Sequence, residues 1–575
     1  MILSLFSLIL CISTISLTAI AQRCRCQPGD TCWPTDQLWE RFNASVGGHL
    51  LSTTPIAYPC HDPHYNEAAC DLVKKNWNDA LWREEQPGGL VWTGWEIDGN
   101  IGCLNTDNRT TPCLQGAVPV YSVNVTSGAE IQKAVIFAAQ HNLRIIIKNT
   151  GHDFLGRSTA PGSLSIWTHY LRNITFYDSF IPEGCNVNQG TSAVTVEAGV
   201  RWGDVYRAAE TRKLVIVGGS SLTVGAAGGY VQGGGHSPLS PTFGLSADNI
   251  LQYTVVTADG QLRIANACQN KDLFWALRGG GGGTFGVVIS ATHKTHKAPD
   301  NVIGARYIIN ATDLASYKDI LRTFIKITPY LSDAGWGGYF NLKDKQISIN
   351  YLSLGTNTTF AKDSFATLVN IIKYHTGVSY SENITAFSSF YDWQLSKICH
   401  DYPSCKEPAG YNVQLSSRLI PRKNFETDAD VDQLADILSK IIKNTISGVI
   451  GNFVAGGAVA RAGGNDTSVN PAWRKALWHV YAMGGTMDNA TEVERKYATQ
   501  SLRNATQPLR DITPGSGCYV NEADPNEPNW QFAFFGSNYQ QLREVKKEID
   551  PTDLFTCNKC VGSEYWTENL NCLAH

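Results

Sequence analysis

Arg144-Ile145-Ile146-Ile147-Lys148-Asn149-Thr150-Gly151-His152-Asp153-Phe154 is the stretch from which the rest of the chain can be read. Its first half is a short apolar run with the length and β-branched composition of a buried strand. Its second half breaks into Asn, Gly and Asp, residues that turn a chain, and sets a histidine in that turn. Upstream, Val123-Asn124-Val125 reads as another strand. Ser127-Gly128-Ala129-Glu130 opens a helix whose apolar spacing is Ile131, Val135, Ala138 and Ala139. Downstream, strands are expected at 193–197 and 253–257 and a helix at 203–213.

Between and after these elements glycine is dense. Gly218-Gly219 leads to Gly225-Ala226-Ala227-Gly228-Gly229 and Gly233-Gly234-Gly235, and later Leu277-Arg278-Gly279 runs through Gly283 to Gly286-Val287-Val288. Without a Cβ the backbone reaches positive φ and brings its N–H groups close to an anion. Two such loops in one region suit a ligand with an extended charged spine, such as a pyrophosphate. No Lys-Ser/Thr follows either loop and no GxGxxG opens a helix after the first strand, so the common nucleotide folds do not fit.

From about 300 to 510 the texture changes. Helices at 314–327 and 428–444 alternate with strands such as 346–352, and a helix-like segment at 539–548 lies in the tail. The expected organisation is a signal peptide at 1–21, a Cys-rich extension at 22–112, a first domain at 113–300, an α+β domain at 301–514, and a tail at 515–575 that returns to the first domain.

With 575 residues the chain can hold two or more cores, and its composition, 43% hydrophobic and 17% charged, is that of a globular protein. A net charge of -4 and the lack of a basic run argue against a nucleic-acid groove or an anionic membrane surface. The apolar run from Ile2 to Ile12, followed by Ala19-Ile20-Ala21, reads as a cleaved signal despite a missing basic start. Ser13, Thr14, Ser16 and Thr18 weaken a membrane anchor there, and no later run of about 20 apolar residues follows.

The 16 cysteines, most of them near the two ends, suit disulfides in an oxidising compartment. Removing Cys11 with the signal leaves an odd number, hence at least one cysteine that is free, buried or joined to another chain. Cys557-Asn558-Lys559-Cys560 has no second CxxC or His pair nearby and reads as a structural disulfide; no metal site is expected. Sequons at Asn43, Asn108, Asn124, Asn173, Asn310, Asn357, Asn383, Asn465, Asn489 and Asn504 suggest a glycosylated, exported protein.

The ordered set Gly151-His152-Asp153, Thr223-Val224-Gly225, Gly228-Gly229, Gly233-Gly234-Gly235-His236 and Gly244-Leu245-Ser246-Ala247-Asp248-Asn249 resembles the FAD-binding domain of the vanillyl-alcohol oxidase, or PCMH-type, superfamily. The tail Asn538-Tyr539, Leu542, Val545-Lys546 and Asp550-Pro551 is similar to the berberine-bridge-enzyme-like branch. The Gly-Gly-Gly-His-Ser-Pro segment is similar to its fungal isoamyl-alcohol-oxidase-like group. The resemblance implies an α+β, two-domain PCMH-type FAD-binding fold, with a substrate domain of antiparallel sheet covered by helices. It also implies FAD attached covalently through His152 to the 8α-methyl. Many members add a second link through a Cys before Thr-Val-Gly; Ser220, Ser221 and Leu222 stand there, so a single link is expected. The cofactor set on this reading is Asn149, Gly151, His152, Asp153, Gly219, Ser220, Ser221, Thr223, Gly225, Gly228, Gly229, Gly235, His236, Asp248, Asn249, Gly286, Val287, Val288, Asn538 and Tyr539.

Hydride removal from an alcohol also needs a base for the hydroxyl proton. Tyr519, in a segment similar to the family's Tyr-x-Asn, is the first candidate, followed by Tyr539 and His236. Glu522 and Asp392 are weaker candidates for the base and read first as surface charges. The aromatics Trp336, Tyr339, Phe340, Phe387, Phe390, Tyr391 and Trp393 suit either an apolar ligand or a core. The expected reaction is oxidation of a small alcohol with O2 as acceptor, giving H2O2. An oxidative cyclase, a carbohydrate oxidase and a catalytically inactive secreted binding protein stay open, and the oligomeric state is not legible.

Overall fold

The computed structural model describes residues 24–398, 407–445 and 447–574; the signal-peptide reading of 1–21 lies outside them. Ile145–Lys148 is the strand expected from its apolar run. It lies parallel to Leu164–Trp167, which lies parallel to Tyr121–Asn124, and Leu50–Ser52 closes the far edge antiparallel. That edge strand comes from the Cys-rich extension, so the extension is woven into the sheet rather than laid over it. The helix Gly128–Gln140 is capped by Ser127, whose hydroxyl accepts the Glu130 N–H. Its buried face is Ile131, Ala134, Val135, Phe137 and Ala138, while Ala139 turns to solvent.

A second sheet is antiparallel, with five strands in the order Ile174–Phe180, Thr191–Glu197, Val287–Lys294, Ile250–Val256, Leu262–Asn266. The glycines at 279–286 lead directly into Val287–Lys294, whereas the loop at 218–235 follows Leu214–Val215 of a separate two-stranded sheet. A third sheet has seven antiparallel strands, and Leu314–Asp333, Thr358–Tyr374, Asp428–Asn444 and Glu492–Ile512 pack against it and one another. On its strand Ala476–Thr486 the period of two is plain: Val480 and Ala482 enter the core shared with the helices, whereas Tyr481 and Met483 face a cleft on the other side. Four of the aromatics offered for a ligand, Trp336, Phe340, Phe390 and Trp393, are buried in cores, and none of the seven lines that cleft.

The tail closes the structure onto the first region. Cys572 is bonded to Cys24, and Cys557 to Cys560 as expected; Cys185 and Cys268 are bonded to each other. Cys518 is a buried free thiol. From the helix Tyr539–Ile549, Lys546 donates to the Thr284 carbonyl at 2.7 Å, the Phe555 carbonyl at 2.8 Å and the Asp550 carboxyl at 2.6 Å, with both side chains buried. Removing one member of a buried ion pair strands the other. Lys546→Met is therefore expected to destabilise the fold by about 3–5 kcal/mol, seen as a lower thermal midpoint. No helix among the described residues is long and apolar enough to cross a membrane.

Candidate active-site cleft

The strand Ile145–Lys148 delivers Asn149, Thr150, Gly151, His152 and Asp153 to the wall of a cleft of about 510 Å³. Gly151 has φ +86°, which only glycine adopts without strain. Asp153 accepts the backbone N–H groups of Leu155 at 2.9 Å and Ser158 at 2.7 Å, and that of Arg157, so its carboxyl fixes the turn. Lys148 is buried under the same strand, with its ammonium pulled down to about 7 by burial, and donates to the carbonyls of Gln86 and Pro87 in the extension.

Opposite lie the glycine loops. Gly225, Gly228, Gly229, Gly282, Gly283 and Gly286 line the cleft. A Cβ on Gly225 or Gly228 would meet Asn149 at 2.7 or 2.6 Å, and one on Gly282 would meet the Gly229 Cα at 2.7 Å.

His152 is held from behind. Its Nε2 lies 2.7 Å from Thr223 Oγ1 and 3.4 Å from Glu84 Oε1. Glu84 is fully buried; its other oxygen accepts Arg201 Nε at 2.7 Å. Burial pushes the Glu84 carboxyl above the usual range, with His152 and Arg201 opposing. Glu407 reaches the same place from the seven-stranded region. It accepts the Leu222 N–H at 2.6 Å, the Thr223 hydroxyl at 2.8 Å, and the Ser221 hydroxyl.

The cleft wall carries a second polar cluster. Glu522 lines the wall with Tyr519, Asn521 and Tyr481. Behind it, His236 Nε2 and His479 Nδ1 lie 3.3 and 3.4 Å from its carboxyl. Burial alone would push this carboxyl up, but the two imidazoles outweigh it and hold it below the usual range. Burial pushes His479 down to about 3. Tyr519 is buried, and burial, reinforced by Glu522, pushes its phenol well above the usual range. Asn521 donates to the Tyr519 oxygen at 2.6 Å and to the Tyr230 carbonyl at 3.0 Å.

Of the residues singled out from sequence, Asn149, Gly151, His152, Asp153, Ser220, Ser221, Gly225, Gly228, Gly229, Gly286, Val288 and Tyr519 line the cleft. Thr223 reaches it through His152, and His236 stands behind Glu522. The others do not line it. The Gly219 carbonyl accepts Tyr206 and Gln394, and Gly235 is wedged against Ser246 and Tyr230. Val287 faces the core under the four-stranded sheet. Asp248 is paired with Arg474, and the Asn249 amide ties the Phe243 and Leu245 carbonyls. Asn538 donates to the Val469 carbonyl. Tyr539 donates to Glu564 at 2.5 Å and accepts the Gly562 N–H, outside the cleft, so it is not the base. Glu522, read as a surface charge, is instead the carboxyl of the cleft wall, while Asp392 accepts Ser388 on an exposed face.

An FAD fits the residues present. Its extended length suits a cleft floored by facing glycines, and the buried Asn149 Oδ1 and Gln232 Oε1 on that cleft have no partner among the described residues. The family described as "FAD binding domain" matches residues 119–266, and "Berberine and berberine like" matches 518–562. An FAD-linked oxidoreductase of Arthroderma benhamiae is 40% identical over 96% of this chain and 96% of its own. The FAD-linked oxidoreductase patO of Aspergillus clavatus is 37% identical over 95% and 93%. The crystal structure of the VAO-type flavoprotein MtVAO615 from Myceliophthora thermophila superposes with a TM-score of 0.88, at 30% identity, covering 96% of this chain and all 100% of that one. Identity of this order along the whole length, on a cleft that fits the flavin, makes this chain a member of the FAD-linked oxidoreductases of vanillyl-alcohol-oxidase type, in their berberine-bridge-like branch.

Proposed function

We propose that the protein is a secreted oxidase that converts a small alcohol to an aldehyde or ketone, with FAD linked once, through His152, and Glu522 as the base. The observation that carries this reading is the Glu522 carboxyl on the cleft wall, held by two imidazoles beside the Tyr519 hydroxyl. Bound FAD supplies the hydride acceptor and passes the electrons to dioxygen, giving hydrogen peroxide.

Glu522 takes the hydroxyl proton of the substrate, and His236, hydrogen-bonded to it, keeps the carboxyl oriented and ionised, while His479, tied to Asn452, packs beside it. Asn521 donates into the Tyr519 oxygen, and the Tyr519 hydroxyl donates to the Tyr230 carbonyl at 3.4 Å, a long bond that a substrate oxygen would replace. Tyr519 thus orients substrate and does not remove a proton, since burial raises its pKa. Trp92, Phe154, Tyr230, Leu415, Tyr481 and Met483 on the walls favour an apolar or planar alcohol over a carbohydrate.

Ser221 stands where a cysteinyl link would start, and a hydroxyl cannot form a thioether; its proton is committed to Glu407. Export is supported by six disulfides among the described residues. Eight of the ten sequon asparagines are exposed, whereas Asn43 and Asn124 are half-buried. The last two are expected to stay unglycosylated, which peptide mapping after deglycosylation reads directly.

The test is a peroxide screen of the secreted protein against aryl, aliphatic and sugar alcohols, followed by the pH profile of kcat/KM. A base held below the ordinary carboxylate value of about 4.3 stays ionised at every higher pH. The profile should therefore be level from pH 8 to about 5, falling only below that. A rate still climbing towards pH 10 would point to Tyr519 instead. Turnover of sugars alone would replace the alcohol assignment, and no peroxide from any donor would favour a binding protein.

A further inference from the structure

The groups behind His152 form a directed chain of hydrogen bonds. The Leu222 N–H can only donate, and it fixes Glu407 Oε1 as its acceptor at 2.6 Å. Glu407 Oε2 takes the Thr223 hydroxyl at 2.8 Å and the Ser221 hydroxyl as well. A hydroxyl has one proton, so Thr223, having given it to Glu407, can only accept from His152 Nε2 at 2.7 Å. In the neutral ring Nε2 must then carry the proton and Nδ1 the lone pair.

We infer that Glu407 and Thr223, with Glu84, are positioning residues that hold His152 as the Nε2–H tautomer and so present Nδ1 as the atom that joins the flavin. This rests on the His152 link proposed above. Joining Nδ1 to the 8α carbon forms one N–C bond with the Nδ1 lone pair and breaks one C–H bond. The hydrogen leaves as a proton, the C–H electron pair enters the ring, and dioxygen takes up those two electrons, that proton and one more from solvent to give hydrogen peroxide. The imidazole becomes a cation as its Nδ1 is alkylated. Glu84 Oε1, buried and with no hydrogen-bond partner among the described residues, lies 3.4 Å from Nε2 and faces that charge. Glu84 comes from the short helix Ala80–Glu84 of the Cys-rich extension, and Glu407 from beyond the middle of the chain.

The relay makes an unusual demand on a conservative substitution. In Glu407→Gln the Leu222 N–H still needs the amide oxygen, so the amide NH2 faces Ser221 and Thr223. Thr223 would then accept from the amide and donate to Nε2, moving the ring proton to Nδ1 and removing its lone pair.

The experiment compares the secreted full-length protein with Glu407→Gln, Thr223→Val and Thr223→Ser, measuring flavin in the acid pellet and in the supernatant. Wild type and Thr223→Ser should keep flavin in the pellet. Glu407→Gln and Thr223→Val should bind flavin but release it to acid, with the pellet-to-supernatant ratio lowered on the order of tenfold or more. Pellet flavin equal to wild type in both would overturn the relay while leaving the His152 link standing. A wild type that itself releases all its flavin would overturn the link. Flavin missing from both fractions of Glu407→Gln and Thr223→Val would place these residues in general flavin binding and equally reject tautomer control. Should Glu407→Gln fail to accumulate, the Thr223→Val and Thr223→Ser pair decides alone, because only the valine lacks the hydroxyl.

Discussion

Glu522→Gln is expected to lower kcat/KM for an alcohol substrate by roughly 10²–10⁴-fold with flavin content unchanged. The substitution keeps size and one hydrogen-bond acceptor but removes the proton-accepting charge. His236 and His479 would still contact the side chain, so the fold has little reason to shift. Tyr519→Phe should cost less, because it deletes an orienting donor and leaves the base in place. Stopped-flow reduction of the bound flavin under anaerobic conditions separates this step from reoxidation. A Glu522→Gln enzyme reduced as fast as wild type would remove Glu522 from the mechanism, and a larger loss in Tyr519→Phe would reverse the two roles.

His152→Ala is expected to move the flavin wholly from the acid pellet to the supernatant. His152 is the attachment candidate on the cleft wall; Cys185 and Cys268 are bonded to each other and Ser221 is tied to Glu407, so none of these three competes with it. The glycine floor does not depend on His152, so the variant should still bind flavin, and the colour should redistribute rather than vanish. Loss of an electron-withdrawing link should also lower the flavin potential and slow reduction. Flavin kept in the mutant pellet would show another point of attachment.

The two variants probe two separate side-chain clusters on one cleft, and their effects should be separable. Sites that share no partner add in free energy. The His152 cluster engages Thr223, Glu84 and Glu407, whereas the Glu522 cluster engages His236 and His479. A double variant should therefore combine acid-labile flavin with the full loss from Glu522→Gln.

The sequence by itself determined a great deal near its opening motif. The apolar run 145–148, the turn at Gly151 and the spaced glycines are local signals, since strand burial and positive φ are properties of a residue and its neighbours. They placed the strand and the turn that carries His152, while the flavin fold followed from the resemblance of the ordered motifs and the disulfide from the Cys557–Cys560 spacing. Charge placement was not legible in the same way. Glu84, His152, Thr223 and Glu407 meet across more than 300 positions of chain, and Glu522 reads in isolation like any polar residue beside an Asn. Tyr539 shows the converse: its motif is intact, yet the helix carrying it turns the phenol to Glu564. A motif records local backbone and composition, whereas a carboxyl becomes a base or a positioning group only through burial and the charges folding brings to it. Those were decided by the tertiary structure alone.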